Sequence, residues 1–211
     1  MIVIINPNST KAMTDAMVHA ALCVGVTVEG WTSHDGPAAI QGPEDGAACI
    51  PPLLSLVRQA SDAGARVIII GCFDDTGLEP AREIARCPVI GIGQAAYHMA
   101  ALAGPRFSVV TTLRVSVPVL EQNIQRYGFA PYLGRVRASG VAVLALESDL
   151  ATAAPKVIAE IDRAVTEDDV KVVVLGCAGM VEIPELYGEN ENIRLIDGVK
   201  MAAQLAAVLS L

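Results

Sequence analysis

Short β-branched runs recur along the chain, separated by longer stretches whose apolar residues fall at helical spacing. Strands are predicted at IVIIN (2–6), VTVEGW (26–31), RVIIIG (66–71), PVIGIG (88–93), FSVVTT (107–112), VAVLAL (141–146), KVVVLG (171–176) and IRLID (193–197). Between them, STKAMTDAMVHAAL, IPPLLSLVRQASDAG and APKVIAEIDRAVTED read as helices. Strands alternating with helices predict parallel strands joined by right-handed crossovers, an α/β fold. The strand runs are apolar throughout rather than alternating, as strands covered on both faces require.

The two halves of the chain resemble each other. Val67 to Cys72 overlies Val172 to Cys177 at an offset of 105 residues, and the same offset lays Ile4, Ile5 and Asn6 over Val109, Val110 and Thr111. An internal repeat of this kind predicts two pseudosymmetric lobes, each a short, mostly parallel sheet flanked by helices, facing each other across a cleft.

In open α/β sheets ligands bind beyond the carboxyl ends of the strands. NPNST, GCFDDTG, TTLRVS and GCAGM all lie at such ends, so Cys72 and Cys177 are expected to converge on one ligand from opposite sides. A following helix N-terminus is expected to depress their pKa values. Two facing thiols suit the inversion of a carbon centre: one removes a proton from one face while the other delivers a proton to the opposite face. Such a reaction demands no metal or organic cofactor when a neighbouring carbonyl activates the C–H bond and donors meet the developing oxyanion. Asn8, Ser9, Thr10, Thr76, Thr111 and Thr112 are donor candidates.

Other conspicuous residues have plainer readings. Free cysteine often serves as a small buried apolar residue, and Cys23, Cys49 and Cys87, which lack the matched strand-end setting, read that way. Asp74 and Asp75 precede Thr76 and Gly77 as helix-capping acids would. Asn8 to Thr10 reads as the cap of the first helix, and His98 as a structural mid-helix residue. GIGQAA is an incomplete dinucleotide loop, so no nicotinamide cofactor is expected. Residues 33–52, rich in Gly and Pro, read as a long connector that is either a lid or a plain surface loop.

Composition narrows the picture further. With 211 residues, 53% of them hydrophobic, and a mean hydropathy of +0.47, the chain can bury a large core. Yet no apolar run reaches the roughly 18 residues of a membrane helix. A net charge of −8 with 15 Lys and Arg argues against nucleic acid or another polyanion as partner. Five cysteines without CxxC spacing argue against a zinc site or a disulfide framework. No signal-peptide pattern opens the chain, so a cytoplasmic location is expected. Turnover of a chiral substrate distinguishes an enzyme from a two-lobed small-molecule binding protein, which gives no reason for paired thiols.

NPNST, GCFDDTG, FSVVTTL, LGCAGM and the late IDGV together resemble the aspartate/glutamate/hydantoin racemase superfamily, in particular its hydantoin and allantoin racemase branch. The resemblance spans nearly the whole chain. It implies cofactor-independent racemisation of a small hydantoin-like ring by Cys72 and Cys177, with substrate contacts from Asn8, Ser9, Thr76, Gly77, Thr111, Thr112, Ala178 and Gly179. It also implies that the last helix is exchanged, giving one lobe of residues 1–97 with 198–211 and another of 98–197. A homo-oligomer is expected. Cys177 is followed by Ala178 and Gly179, where glutamate racemases carry Thr-His, and their DSGxGG opening is absent. That departure points away from acidic amino acids; a maleate-type isomerase, which has both cysteines, is the other alternative.

Overall fold

In the computed structural model, which describes residues 1–211, the strands form two separate four-stranded sheets. The first half runs β1 (Ile2–Asn6), α1 (Lys11–Cys23), β2 (Glu29–Thr32), α2 (Pro43–Asp62), β3 (Val67–Ile70), α3 (Leu78–Ile84), β4 (Val89–Gly91) and α4 (Ile92–Ala103). The second continues with β5 (Phe107–Thr111), α5 (Val117–Arg126), β6 (Leu133–Ala138), α6 (Ala145–Ser148), α7 (Leu150–Glu167), β7 (Val172–Gly176), α8 (Ile183–Tyr187), β8 (Arg194–Asp197) and α9 (Gly198–Leu209). The sheets share one strand order, β2-β1-β3-β4 and β6-β5-β7-β8, and every pair is parallel. The repeat is therefore architectural. β4 and β8 also begin 105 residues apart, at Val89 and Arg194.

Side-chain alternation divides each central strand between two cores. Ile4, Val67 and Ile69, with Val109, Val172 and Val174, face a shared core between the sheets. Val3, Ile5, Ile68 and Ile70 face the opposite way, onto Leu53, Val57 and Ala60 of α2. Val110, Val173 and Leu175 pack on Val157 and Ile161 of α7. Both faces being covered is the reason these strands read as continuous apolar runs. The middle layer contains α4 and α9, whose small residues Ala95, Ala96 and Ala100 and Ala202, Ala203 and Ala206 are all buried there. α4 also touches β7 and β8 of the second sheet, while α9 touches β3 of the first.

Three sequence expectations are corrected. VAVLAL (141–146) is not a strand; Val141 and Leu146 are buried in the core beside α7, and Val143 packs against Met13, Ala39 and Cys177. The fourth strand of the second sheet is instead LGRVRA, an edge strand whose arginines disguised it. Arg137 is buried there because carboxylates meet its N–H groups: Nε and Nη2 donate to Asp168 at 2.7 and 2.6 Å, and Nη1 to Glu160 at 3.1 Å. Finally, residues 33–52 are not one connector. The loop ends at Gly42 and α2 begins at Pro43, which sits at N1, with Glu44 and Asp45 in its first turn. Pro51 and Pro52 lie inside that helix, and the apolar face it buries on the sheet outweighs their cost of about 3 kcal/mol each.

Of the two acids after Cys72, expected to cap the helix that follows them, Asp75 alone caps a helix, and it is α4. Asp75, with φ of 51°, turns its carboxylate onto the start of α4, accepting from Gly93 N at 3.0 Å and Gln94 N at 2.8 Å. The Tyr127 hydroxyl donates to it as well, at 3.0 Å. By contrast, no side chain caps α1: Asn8 Oδ1 accepts from Thr10 N, before the first turn. Replacing Asp75 by Asn removes one acceptor from three buried donors. Thermal unfolding of Asp75→Asn is expected to show a loss of about 2 kcal/mol, a fall in Tm of roughly 4–8 °C for a chain of this size.

Candidate active site

β3 and β7 are each followed or ended by a glycine that has no room for a side chain. A Cβ on Gly71 would lie 2.6 Å from Met17 Sδ and 3.2 Å from Ile5 O, and one on Gly176 would lie 3.0 Å from Val110 O. Glycine thus lets the chain turn away from its neighbouring strand at close quarters, and the next residue, Cys72 or Cys177, enters the space between the lobes. At each sulfur the backbone N–H two residues ahead, of Asp74 and of Gly179 respectively, favours the thiolate. The repeat therefore reproduces the thiol together with its donor.

Both cysteines line one cavity of about 40 Å³, room for on the order of three waters. Its mouth is closed by the loop before α2 and the loop before α6. Ile40 and Val143 line it from these loops, and Gln41 Oε1 accepts Val143 N at 3.0 Å across the cleft. Ser9 N and Thr10 Oγ1 tie the first loop down by donating to Pro37 O and Ala38 O at 2.9 and 2.7 Å.

Of the residues marked in the sequence, Asn8, Cys72, Thr111, Thr112, Cys177, Ala178 and Gly179 line the cavity. Asn8 Nδ2 has only the Met13 thioether as acceptor, at 3.3 Å, and is free to donate to a ligand. The Thr111 hydroxyl is already committed to Gly176 O at 2.9 Å. Ser9, Thr76 and Gly77 stand outside the wall. Ser9 serves the loop, and the Thr76 hydroxyl lies 3.8 Å from Cys72 Sγ, behind it. Gly77 caps α3 with φ of 77° against Leu53. Sequence reasoning passed over Asp74, Ser116, Met13, Ile40 and Val143, all of which line the wall. Position alone could have flagged Asp74, two residues from a thiol, and Ser116, within TTLRVS; the apolar three carried no signal.

The electrostatics reverse one expectation. Burial pushes the Cys177 thiol up to about 12, the Asp74 and Glu147 carboxylates adding to the effect and the Gly179 N–H opposing it. Burial likewise raises Cys72 well above the ordinary thiol range, and Asp74 raises it further. No α-helix begins at either sulfur, since α3 starts at Leu78 and α8 at Ile183, and only a single 3₁₀ turn, Ala178–Met180, follows Cys177. No Lys, Arg or His lines the cavity. Desolvation therefore dominates in the closed form. Asp74 itself is raised to about 6 by burial, partly offset by a hydrogen bond from Ser116. No group of three or more His, Cys, Asp or Glu side chains is placed to hold a metal ion.

The Asp/Glu/Hydantoin racemase family matches residues 2–206. The chain belongs to that family. Accordingly it is an isomerase of the racemase type, and its relatives agree along their lengths. A hydantoin racemase from Rhizobium meliloti is 41% identical over 209 residues, 98% of this chain and 87% of the relative. An allantoin racemase structure from Klebsiella pneumoniae superposes with a TM-score of 0.94 at 36% identity, covering 99% of this chain and 86% of that one. A glutamate racemase from Francisella tularensis in complex with D-glutamate shares the fold at a TM-score of 0.69 and 16% identity, with 99% and 80% covered. The two-lobed α/β architecture expected from the sequence is the architecture of this family.

Raised thiol pKa values make a kinetic prediction for the enzyme. At pH 7 iodoacetamide should modify exposed Cys23 well before Cys72 or Cys177, as followed by peptide mass spectrometry. Labelling of Cys72 and Cys177 should climb about tenfold per pH unit to beyond pH 9, because only the thiolate reacts. Rapid labelling of both at pH 7 would contradict the assignment.

Proposed function

We propose that this enzyme racemises 5-substituted hydantoins, the 5-ureido compound allantoin among them, by a two-thiol mechanism without a cofactor. The observation that carries the reading is the convergence of Cys72 and Cys177, each with its own amide donor, on one cavity between pseudosymmetric lobes. The names of the relatives support the ring as substrate class. A thiolate on one side takes the proton from the ring's stereogenic carbon, and the electron pair passes onto the adjacent carbonyl oxygen. The opposite thiol then gives its proton to the other face of that carbon, becoming the thiolate. The reverse enantiomer exchanges the two roles. A buried thiolate of high pKa is scarce but strongly basic, a fitting partner for a weak carbon acid.

Around that pair, Asn8 Nδ2 supplies a hydrogen bond to a ring carbonyl, and the Ala178–Gly179 backbone borders Cys177 where a bulkier pair would narrow the site. Thr112 and Thr111 form the wall beneath. The lobes act as residues 1–97 with 198–211 and residues 98–197, and parting of the two mouth loops admits the substrate. We further assign the enzyme to the cytoplasm, acting on a free small molecule rather than on nucleic acid or membrane. No helix is long and apolar enough to cross a membrane. A homo-oligomer is supported by Leu102, Val208 and Leu209, exposed on α4 and α9.

Chiral chromatography tests the substrate class: a 5-substituted hydantoin should lose its enantiomeric excess faster than glutamate or aspartate, and the reverse order would overturn the reading. Cys72→Ala and Cys177→Ala should each slow racemisation of both enantiomers by about 10² to 10⁴. In deuterated water the two variants should still exchange the substrate hydrogen, each on a different enantiomer, since one thiol reaches one face. Exchange by both variants on the same enantiomer would refute the division of labour.

A further inference from the structure

The cavity wall is symmetric in its thiols and asymmetric in one side chain. Cys72 and Cys177, and the amides of Asp74 and Gly179 that serve them, stand in equivalent positions of the repeat. At the second of those positions, however, the first half carries a carboxylate and the second half carries glycine. Transfer of a proton between two faces of one carbon needs the matched groups only. Asp74 is therefore surplus to the inversion itself, although it lines the cavity in which inversion occurs.

The Asp74 carboxylate is also under-partnered. The Ser116 hydroxyl donates to it, and no cationic side chain lines the cavity or offsets its burial. A carboxylate offers about four acceptor sites, and leaving them idle in a partly dehydrated cavity is costly. Its main chain is held in place from the other half, Asn123 Nδ2 donating to Asp74 O at 2.8 Å. The natural complement of such a group is a ligand that brings N–H donors. Ring atoms are common to all hydantoins, whereas the donors on the substituent at the reacting carbon vary from one to the next.

We propose that Asp74 is the specificity-determining residue of the site: it accepts hydrogen bonds from N–H groups of the substituent, favouring ureido-bearing hydantoins and excluding those whose substituent ends in a carboxylate. The proposal rests on the hydantoin racemase reading above. A hydrogen bond to a charged acceptor is worth about 10- to 100-fold in binding. A second carboxylate facing Asp74 meets like charge in a low-dielectric cavity, a repulsive element of the kind that sharpens discrimination.

The test compares kcat/KM for racemisation of 5-ureidohydantoin, 5-benzylhydantoin and 5-carboxyethylhydantoin by the wild-type enzyme, Asp74→Asn and Asp74→Gly, the last copying Gly179. Wild type should prefer the ureido to the carboxyethyl compound by about 100-fold. Asp74→Asn should cut the ureido-to-benzyl ratio about tenfold and raise the carboxyethyl-to-benzyl ratio by a similar factor. Using ratios cancels any change in thiol reactivity common to the three substrates, and Asp74→Gly should shift both ratios the same way. If both ratios stay within about twofold in Asp74→Asn while 5-benzylhydantoin is still racemised, the proposal falls and the hydantoin reading stands. Failure of the wild-type enzyme on all three compounds overturns both.

Discussion

The burial of α4 and α9 between the two sheets is the constraint on which the rest of the molecule depends. Their alanine faces give the middle layer small side chains, and the core they share with β1, β3, β5 and β7 fixes the sheets with like ends together. Because the strand orders are identical, this single packing arrangement brings the ends of β3 and β7 to the same cleft. Two thiols separated by 105 residues in sequence thereby become neighbours of one cavity. Cross-half hydrogen bonds then hold the detail: Asn123 and Tyr127, both from the second half, grip the main chain of Asp74 and the side chain of Asp75.

The cleft's chemistry follows from what that packing keeps out. With the mouth loops joined by Gln41 and Val143, the cavity has room for few waters and no cationic side chain lines it. The Cys177 thiolate is then favoured by the Gly179 amide and the Cys72 thiolate by the Asp74 amide and the Thr76 hydroxyl, while the Asp74 carboxylate opposes both. The closed form consequently stores its sulfurs as neutral thiols, inert toward adventitious reagents. Under the proposed mechanism, parting of the loops would admit water to the sulfurs and so link entry of a ligand to readiness for proton transfer.

Much of this was legible in the sequence because burial leaves a compositional trace. Continuous apolar runs gave away β1, β3, β5 and β7, which are covered on both faces, and the offset between them gave away the repeat. The trace failed where burial and strand identity part company. β6 is an edge strand carrying Arg135 and Arg137, whose charge is satisfied by Asp168 and Glu160, whereas VAVLAL is apolar because it roofs the cleft. Gly and Pro content concealed the first turns of α2, residues 43–49, for a similar reason, since propensity is local and the face the helix buries is not. Within the site, cysteines at strand ends could be found from spacing, but the cavity-lining parts of Asp74 and Ser116 depend on the meeting of two distant loops. The thiol pKa expectation erred because it weighed a helix end that lies several residues away and left out desolvation.

The exchange of helices between sheets also bears on how the chain is made. α9, which touches β3 and packs beside α1 and α4, is the final helix of the chain, ending at Leu209. The first sheet is synthesised well before the second, yet one of its faces is not completed until α9, which follows β8, has left the ribosome. Vectorial, lobe-by-lobe maturation of the kind available to beads-on-a-string proteins is thus closed to this topology. Its apolar middle layer remains open until α9 emerges, and the docking of that helix is the event that seals it.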